Sequence, residues 1–446
     1  MTNTSPWSGR RLHFIGAGGC GMSGLALVAH QLGATVTGSD ARDGIFLVSL
    51  RRAGVNTITI GHDVANLPEH GEVVYSSAVR TSNVERAAAA ERGLAQLHRS
   101  QLLAELTRTH RTIAVCGAHG KTTTTALLAH VLTACGIDPS YVVGGLLAPP
   151  AAHARVGGSG WLVIEADESD RSLLAYDAEI VLVTNVDLDH TGVGDAGYRN
   201  TDEVAKVLAE FAGRAKRVFG SAQAATALAP YLGNRVTVVE PGHTSAGPPE
   251  FELNGVQFAA CHPGWHNARN AALVVSLAQH LGCEDSAIQA GLASFPGLAR
   301  RFELKGALPG NVAVYDDYAH HPAEVAAVIA AGRTITAGRV LVVFQPHLFS
   351  RTQQFADQFA EALATADRAW VLPVYPAREN PADWDGVTNR SITDRVPDPS
   401  VVQPAEDRDG MVRLLRDTAA EGDVVVLVGA GDVGALAEPL LADTGN

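Results

Sequence analysis

GAHGKTTTT, residues Gly117 to Thr125, follows the apolar run TIAVC and precedes ALLAHVLTACG. Read as strand, loop and helix, it makes a junction where backbone N–H groups at a helix start face an anion and Lys121 adds a cation. The stretch is too short for the usual phosphate-loop pattern, because Val115 stands where that pattern requires its first glycine. Local chemistry decides the matter instead. Four β-branched threonines suit a helix interior poorly, but in a first turn their hydroxyls cap free amides or hold a metal. A buried strand that passes through a glycine loop into a helix is also the unit from which parallel α/β sheets are built.

The same unit recurs outward in both directions. RLHFIG, TVTGSD, EVVYSS, WLVIEAD, EIVLVTNV, VAVYDDY, RVLVVFQP, AWVLPVY and DVVVLVGAG are short β-rich runs that alternate with amphipathic helical stretches. Breaks near Arg108 and Pro296 divide the chain into three α/β units, about 1–107, 108–297 and 298–446. FELNGVQF alternates around Asn254-Gly255 and predicts a type I′ hairpin, an antiparallel flap extending the middle sheet.

Composition narrows the function. The chain has 446 residues, 46% hydrophobic and 18% charged, with 34 Lys and Arg against 47 Asp and Glu, a net charge of −13. Such a surface disfavours nucleic acid and anionic membranes, so any bound phosphate must meet a local device. Five scattered cysteines without a CxxC pair argue against a disulfide framework or zinc site. MTNTSPWSGRR lacks an apolar signal core and no apolar run has bilayer length, which predicts a cytoplasmic protein.

IGAGGCG sets glycines at 16, 18 and 21 between a strand and the helix GMSGLALVAHQLG, and Asp40 ends the next strand. This satisfies the dinucleotide fingerprint, with NAD or any nucleotide diphosphate as ligand. A second such loop on a separate unit suggests two phosphorylated ligands and a transfer or ligation. WLVIEADESD places Glu165, Asp167, Glu168 and Asp170 past a strand end, where a carboxylate can hold Mg²⁺ for phosphates that Lys121 and Thr122 contact. EIVLVTNVDLDH ends likewise in Asp187, Asp189 and His190. PGWHNARNAAL opens a helix with His266, Asn267 and Asn270, while DDYAHHP and FQPHLFSR gather Asp316, Asp317, Tyr318, His320, His347 and Arg351 at strand ends of the third unit.

The set IGAGGCGMSG, GAHGKTTTT, EADESD, VTNVDLDH, PGWHNARNA, RRFE, DDYAHHPAEV and FQPHLFSRT closely resembles the Mur ligases, in the family's order from about residue 11 to the terminal LVGAGDV. GMSG, DDYAHHP and FQPHLFSRT point to the branch that adds the first amino acid in peptidoglycan synthesis. The resemblance implies three α/β domains: a Rossmann-like N-terminal domain for a UDP-sugar, a central ATPase domain, and a Rossmann-like C-terminal domain. It implies ATP-driven amide formation, in which ATP phosphorylates the lactyl carboxylate of UDP-N-acetylmuramate and the amine of L-alanine attacks the acyl phosphate.

By position, Gly117, His119, Gly120, Lys121, Thr122 and Thr123 would hold the phosphates of ATP. Thr122 with Glu165 would hold one Mg²⁺ and Glu165 with His190 a second, so that Lys121, Glu165 and His190 form the catalytic set. His266, Asn267 and Asn270 match the ATP-side motif, with Arg301 and Asp317 closing over the nucleotide. Gly18, Gly21, Ser39 and Asp40 match the UDP site, and Tyr318, His320, His347 and Arg351 the alanine pocket. The protein would act as a monomer or homodimer without nucleic-acid or membrane partners. Ala118 departs from the family's usual threonine, and TGVGDAGYRNTDE lacks the acidic residue that commonly follows DH. Competing readings are a ligase that recycles whole peptides onto UDP-N-acetylmuramate, an NAD-dependent oxidoreductase using IGAGGCG, and a nucleotide-binding regulator without turnover.

Overall fold

The computed structural model describes residues 6–147, 153–189, 197–244 and 249–442. The first sheet holds β1 (Arg11–Ile15), β2 (Thr35–Asp40), β3 (Ile58–Ile60), β4 (Glu72–Tyr75) and β5 (Ala95–His98), all parallel, in the order β3-β2-β1-β4-β5. The second joins β6 (Arg111–Cys116), β7 (Ser140–Val142), β8 (Ala154–Arg155), β9 (Trp161–Glu165), β10 (Ile180–Val183), β11 (Arg217–Gly220) and β12 (Val236–Val238) in the order β12-β11-β10-β6-β9-β7-β8. Here β8 runs antiparallel to β7.

A three-stranded sheet follows, β13 (Gly242–His243), β14 (Glu250–Leu253) and β15 (Val256–Ala259). The last sheet contains β16 (Glu303–Leu308), β17 (Val312–Asp317), β18 (Val340–Phe344), β19 (Arg368–Val371), β20 (Val402–Pro404) and β21 (Val424–Val428), in the order β16-β17-β21-β18-β19-β20. Only its edge strand β16 pairs antiparallel. Every residue of β10, β18 and β21 is buried, as strands rich in Val and Leu must be when helices cover both faces of a parallel sheet. Among the described residues no helix is long and apolar enough to cross a membrane.

The hairpin forms at Asn254 (φ 55°) and Gly255 (φ 80°), the two left-handed positions of a type I′ turn. It does not extend the middle sheet. Its third strand is β13, two residues whose pairing potential is invisible in sequence, and the three make a sheet of their own.

By contact the chain forms two compact units. One comprises Met1–Pro241, Leu253–Val256 and Arg269–Pro296; the other comprises Gly242–Glu252, Gln257–Ala268 and Gly297–Asn446. The first unit therefore holds both the first and second sheets. The helix Arg99–Thr109 passes through His110 alone into β6. In addition, the helix Cys20–Gln31 packs on β7 and β8. A Cβ at Gly24 would meet Val142 Cγ1 at 3.0 Å, and Ser23 Oγ lies 2.9 Å from buried His153 Nε2.

His13 and Glu85 lie fully buried in the first unit. Ser39 Oγ donates to Glu85 Oε2 (2.6 Å), Asn66 Nδ2 and the Asp63 N–H donate to Oε1 (2.7 and 3.1 Å), and His13 Nε2 lies 3.3 Å from Oε2. Burial alone would raise this carboxyl, yet His13, Ser39, Asn66 and Asp63 outweigh it and hold it at about 2, against an ordinary 4.5. A depressed carboxylate contributes stability above its unfolded value that is lost as pH falls toward the folded value. Glu85→Gln should therefore cost about 1–3 kcal/mol at pH 7. The gap from wild type should narrow between about pH 5 and pH 2, measured by urea unfolding across that range.

Candidate active site

The loop after β6 sits between β9 and β10, the neighbours of β6 on either side. Gly117 has φ 122°, and a Cβ there would meet the Asn185 carbonyl oxygen at 2.6 Å. Gly120 has φ 78° and is pressed against the Asn270 amide, 2.8 Å from where its Cβ would be. Both positions demand glycine. The loop is clamped from the end of β10: Asn185 Oδ1 accepts from the His119 N–H (3.0 Å), while Asn185 Nδ2 and Thr184 Oγ1 donate to the His119 carbonyl (2.8 and 2.7 Å).

From this turn the helix Lys121–Ala134 begins. Its Lys121 is 8% exposed, and Nζ donates to Gly117 O (2.8 Å), Ala118 O (3.1 Å) and Glu168 Oε2 (2.8 Å), with Asp167 Oδ1 at 3.7 Å. Burial works against the ammonium charge. Glu168, then Asp167 and Glu165, outweigh it and hold Lys121 charged well above the usual lysine range. Thr122 Oγ1 donates to Glu165 Oε2 (3.0 Å), which also accepts from the Gly144 N–H (3.2 Å). A hydroxyl beside a carboxylate is a hard-oxygen donor pair of the kind divalent cations take, next to a lysine that suits phosphate. Thr123 is half-buried on the same first turn.

In the first unit, Gly18 N–H donates to Asp40 Oδ2 (2.7 Å), so the acidic strand end meets the glycine loop as the fingerprint demands. A Cβ on Gly18 would lie 2.9 Å from that oxygen, and one on Gly21 would lie 3.3 Å from Arg99 Nη1. The Ser39 side chain is fully buried: its Oγ donates to Glu85 Oε2 and lies 2.9 Å from His62 Nδ1.

In the second unit, β17, β21 and β18 are parallel neighbours, which brings DDYAHH, VGAGD and FQPH to one sheet edge. Asp317 accepts from the Phe302 and Ala319 N–H groups, both at 2.7 Å. Burial raises its carboxyl to about 6 against the opposing charge of Arg301 and those two bonds. The guanidinium groups of Arg300 and Arg301 lie 5.0 and 5.3 Å from the Tyr318 ring centre, and His320 lies edge-on to Tyr318 at 5.3 Å and to His347 at 6.1 Å. Arg351 sits four residues beyond His347 on the short helix Phe349–Gln354.

The structure thus joins Gly117, His119, Gly120, Lys121, Thr122, Glu165 and Asn270 around one loop, and Arg301, Asp317, Tyr318, His320 and His347 around one sheet edge. Asn267 donates through Nδ2 to Pro263 O (2.8 Å), closing its own turn, and His266 is half-buried beside Gly264. His190 lies outside the described residues. Sequence reasoning missed the roles of Glu168 and Asn185, which stood inside motifs already quoted, and it passed over Arg99. No spacing rule singles out which acid of EADESD reaches Lys121.

Family models match residues 11–111 (Mur ligase family, catalytic domain) and 300–431 (Mur ligase, glutamate ligase domain). A UDP-N-acetylmuramate–L-alanine ligase of Paenarthrobacter aurescens is 42% identical over 439 residues, covering 95% of this chain and 94% of that protein. The solved UDP-N-acetylmuramate-alanine ligase of Thermotoga maritima superposes with a TM-score of 0.77 at 28% identity, over 97% and 98% of the two chains. A murein peptide ligase of Psychrobacter arcticus gives 0.69 at 25%, over 98% and 99%. This chain belongs to the Mur ligase family of enzymes.

Lys121→Ala should lower turnover of ATP by about 10²–10³, the usual effect of removing one preorganised charge. Steady-state phosphate release, with circular dichroism as a fold check, measures it. Gly120→Ala should weaken nucleotide binding at least tenfold in calorimetry, because the left-handed backbone and the Asn270 amide both exclude a Cβ.

Proposed function

We propose that this protein joins L-alanine to the lactyl carboxylate of UDP-N-acetylmuramate at the expense of ATP, through an acyl phosphate, as the first amino-acid addition of peptidoglycan synthesis. The observation that carries this reading is full-length likeness to ligases of that name, at 42% identity, in a chain that holds the Lys121–Thr122–Glu165 arrangement. We assign residues 1–107 to the UDP-sugar, 108–297 to ATP and 298–446 to the amino acid.

Chemically, the left-handed glycines of the loop present N–H groups to the phosphates, and Lys121, on leaving Glu168, neutralises charge on the transferring group. Thr122 and Glu165 would hold Mg²⁺, which lowers the charge repulsion that opposes attack on the γ-phosphate. Asp40 and the Gly16–Gly21 loop take the UDP moiety. In the second unit, Arg351 offers the planar fork that pairs with the α-carboxylate of alanine. His347 is pushed down to about 4 by burial and by the surrounding cations, so it stays neutral and leaves the anion to the guanidinium groups. An oxidoreductase using the first glycine loop would leave Lys121, Glu165 and Glu168 without a task.

Phosphate release should require both UDP-N-acetylmuramate and L-alanine. Arg351→Lys should raise the KM for alanine at least tenfold while leaving those for ATP and the UDP-sugar within about twofold. Loss of one methyl group is worth about 1–3 kcal/mol, so glycine should be about 10–200 times poorer in kcat/KM. A wild type that prefers an L-Ala-containing tripeptide to alanine would instead establish the peptide-recycling reaction.

A further inference from the structure

Beyond β19 the chain turns back along the segment that carries His347 and Arg351. The Tyr375 N–H donates to Pro346 O (2.8 Å) and the Leu348 N–H to Tyr375 O (2.9 Å), and a parallel bridge pairs His347 with Tyr375. The Tyr375 ring lies nearly parallel to the His347 imidazole, centroids 5.8 Å apart at 14°. Four residues on, Glu379 Oε2 accepts from the Phe349 and Ser350 N–H groups (2.6 and 3.1 Å), capping the helix on which Arg351 sits.

The loop is therefore fastened at both ends to the His347–Arg351 segment. Inside it, Ala377 is held at φ 49° and Leu348 opposite at φ 71°, conformations costly for residues with a Cβ, which the paired bonds enforce. Arg378 follows that turn. It is exposed and makes no ion pair or side-chain hydrogen bond among the described residues, yet its charge acts on His347 together with that of Arg351. Arg300, a further cation acting there, is offset by Asp316 at 3.3 Å.

We propose that Arg378 is a substrate-binding residue, held by the Tyr375–Glu379 loop to take the α-carboxylate of the incoming amino acid together with Arg351, so that a free amino acid is selected over the N-terminus of a peptide. This rests on the alanine-ligase reading. The carboxyl group next to the reacting amine is an anion in a free amino acid and a neutral amide in a peptide. Charge-assisted bonds from a guanidinium are about twice as strong as neutral ones, and a second guanidinium increases the dependence on that charge. Arg351 and Arg378 both contribute to binding the carboxylate, and the second guanidinium sharpens discrimination against a neutral amide.

The test measures kcat/KM for L-alanine and for L-alaninamide, with ATP and UDP-N-acetylmuramate saturating, in wild type, Arg378→Ala and Arg378→Lys. Arg378→Ala should lower the value for alanine tenfold or more, through KM, while that for alaninamide changes less than twofold and the KM values for ATP and the UDP-sugar hold. Arg378→Lys should restore part of the loss. Equal losses for both amines, or none for alanine, would overturn the assignment of Arg378 while leaving the ligase reading standing. A wild type that turns over the tripeptide but not alanine would overturn both.

Discussion

A lysine ammonium buried inside a glycine turn is the constraint around which the first unit is arranged. A charge at 8% exposure is tolerated only if it is paired and its donors are used, and Lys121 meets both conditions through Glu168 and two loop carbonyls. The pairing needs β9 beside β6, with Val115 opposite Glu165, so that the chain leaving β9 runs alongside the loop leaving β6. It also needs β10 on the other side, with Cys116 opposite Val183, so that Thr184 and Asn185 reach His119. Parallel order, register and loop shape are thus one requirement expressed three times.

The same economy explains the glycines. At Gly117 and Gly120 the backbone is left-handed and the neighbours, Asn185 and Asn270, occupy the space of a Cβ. The second unit meets a similar demand by different means. There Leu348 and Ala377 adopt left-handed conformations despite their side chains, because the Pro346–Tyr375 pairing and the Glu379 cap restrain the loops on both sides.

Much of this was legible in the residues. The apolar runs located the buried parallel strands, because a strand covered on both faces has no polar alternation to hide it. Asn254-Gly255 located the hairpin turn, since few dipeptides tolerate two left-handed positions in succession. The threonine run marked a helix start, and Lys121, Thr122 and Glu165 do share one loop neighbourhood. At Ser39 the local pattern records only the neighbouring Asp40; that its hydroxyl donates to Glu85, forty-six residues away in sequence, is a contact no spacing signals.

Local patterns by themselves determined the class of fold, the position of both glycine loops and the residue types available to phosphate, because each depends on neighbours within a few positions along the chain. Tertiary structure alone decided which acid holds Lys121, which amide shapes Gly120, and that β13 completes the hairpin sheet. It also decided that the first and second sheets share one compact unit, through the packing of the helix Cys20–Gln31 on β7 and β8. Each of these is a contact between segments far apart in sequence, fixed by strand order and by the competition of buried polar groups for partners, and no local spacing records either.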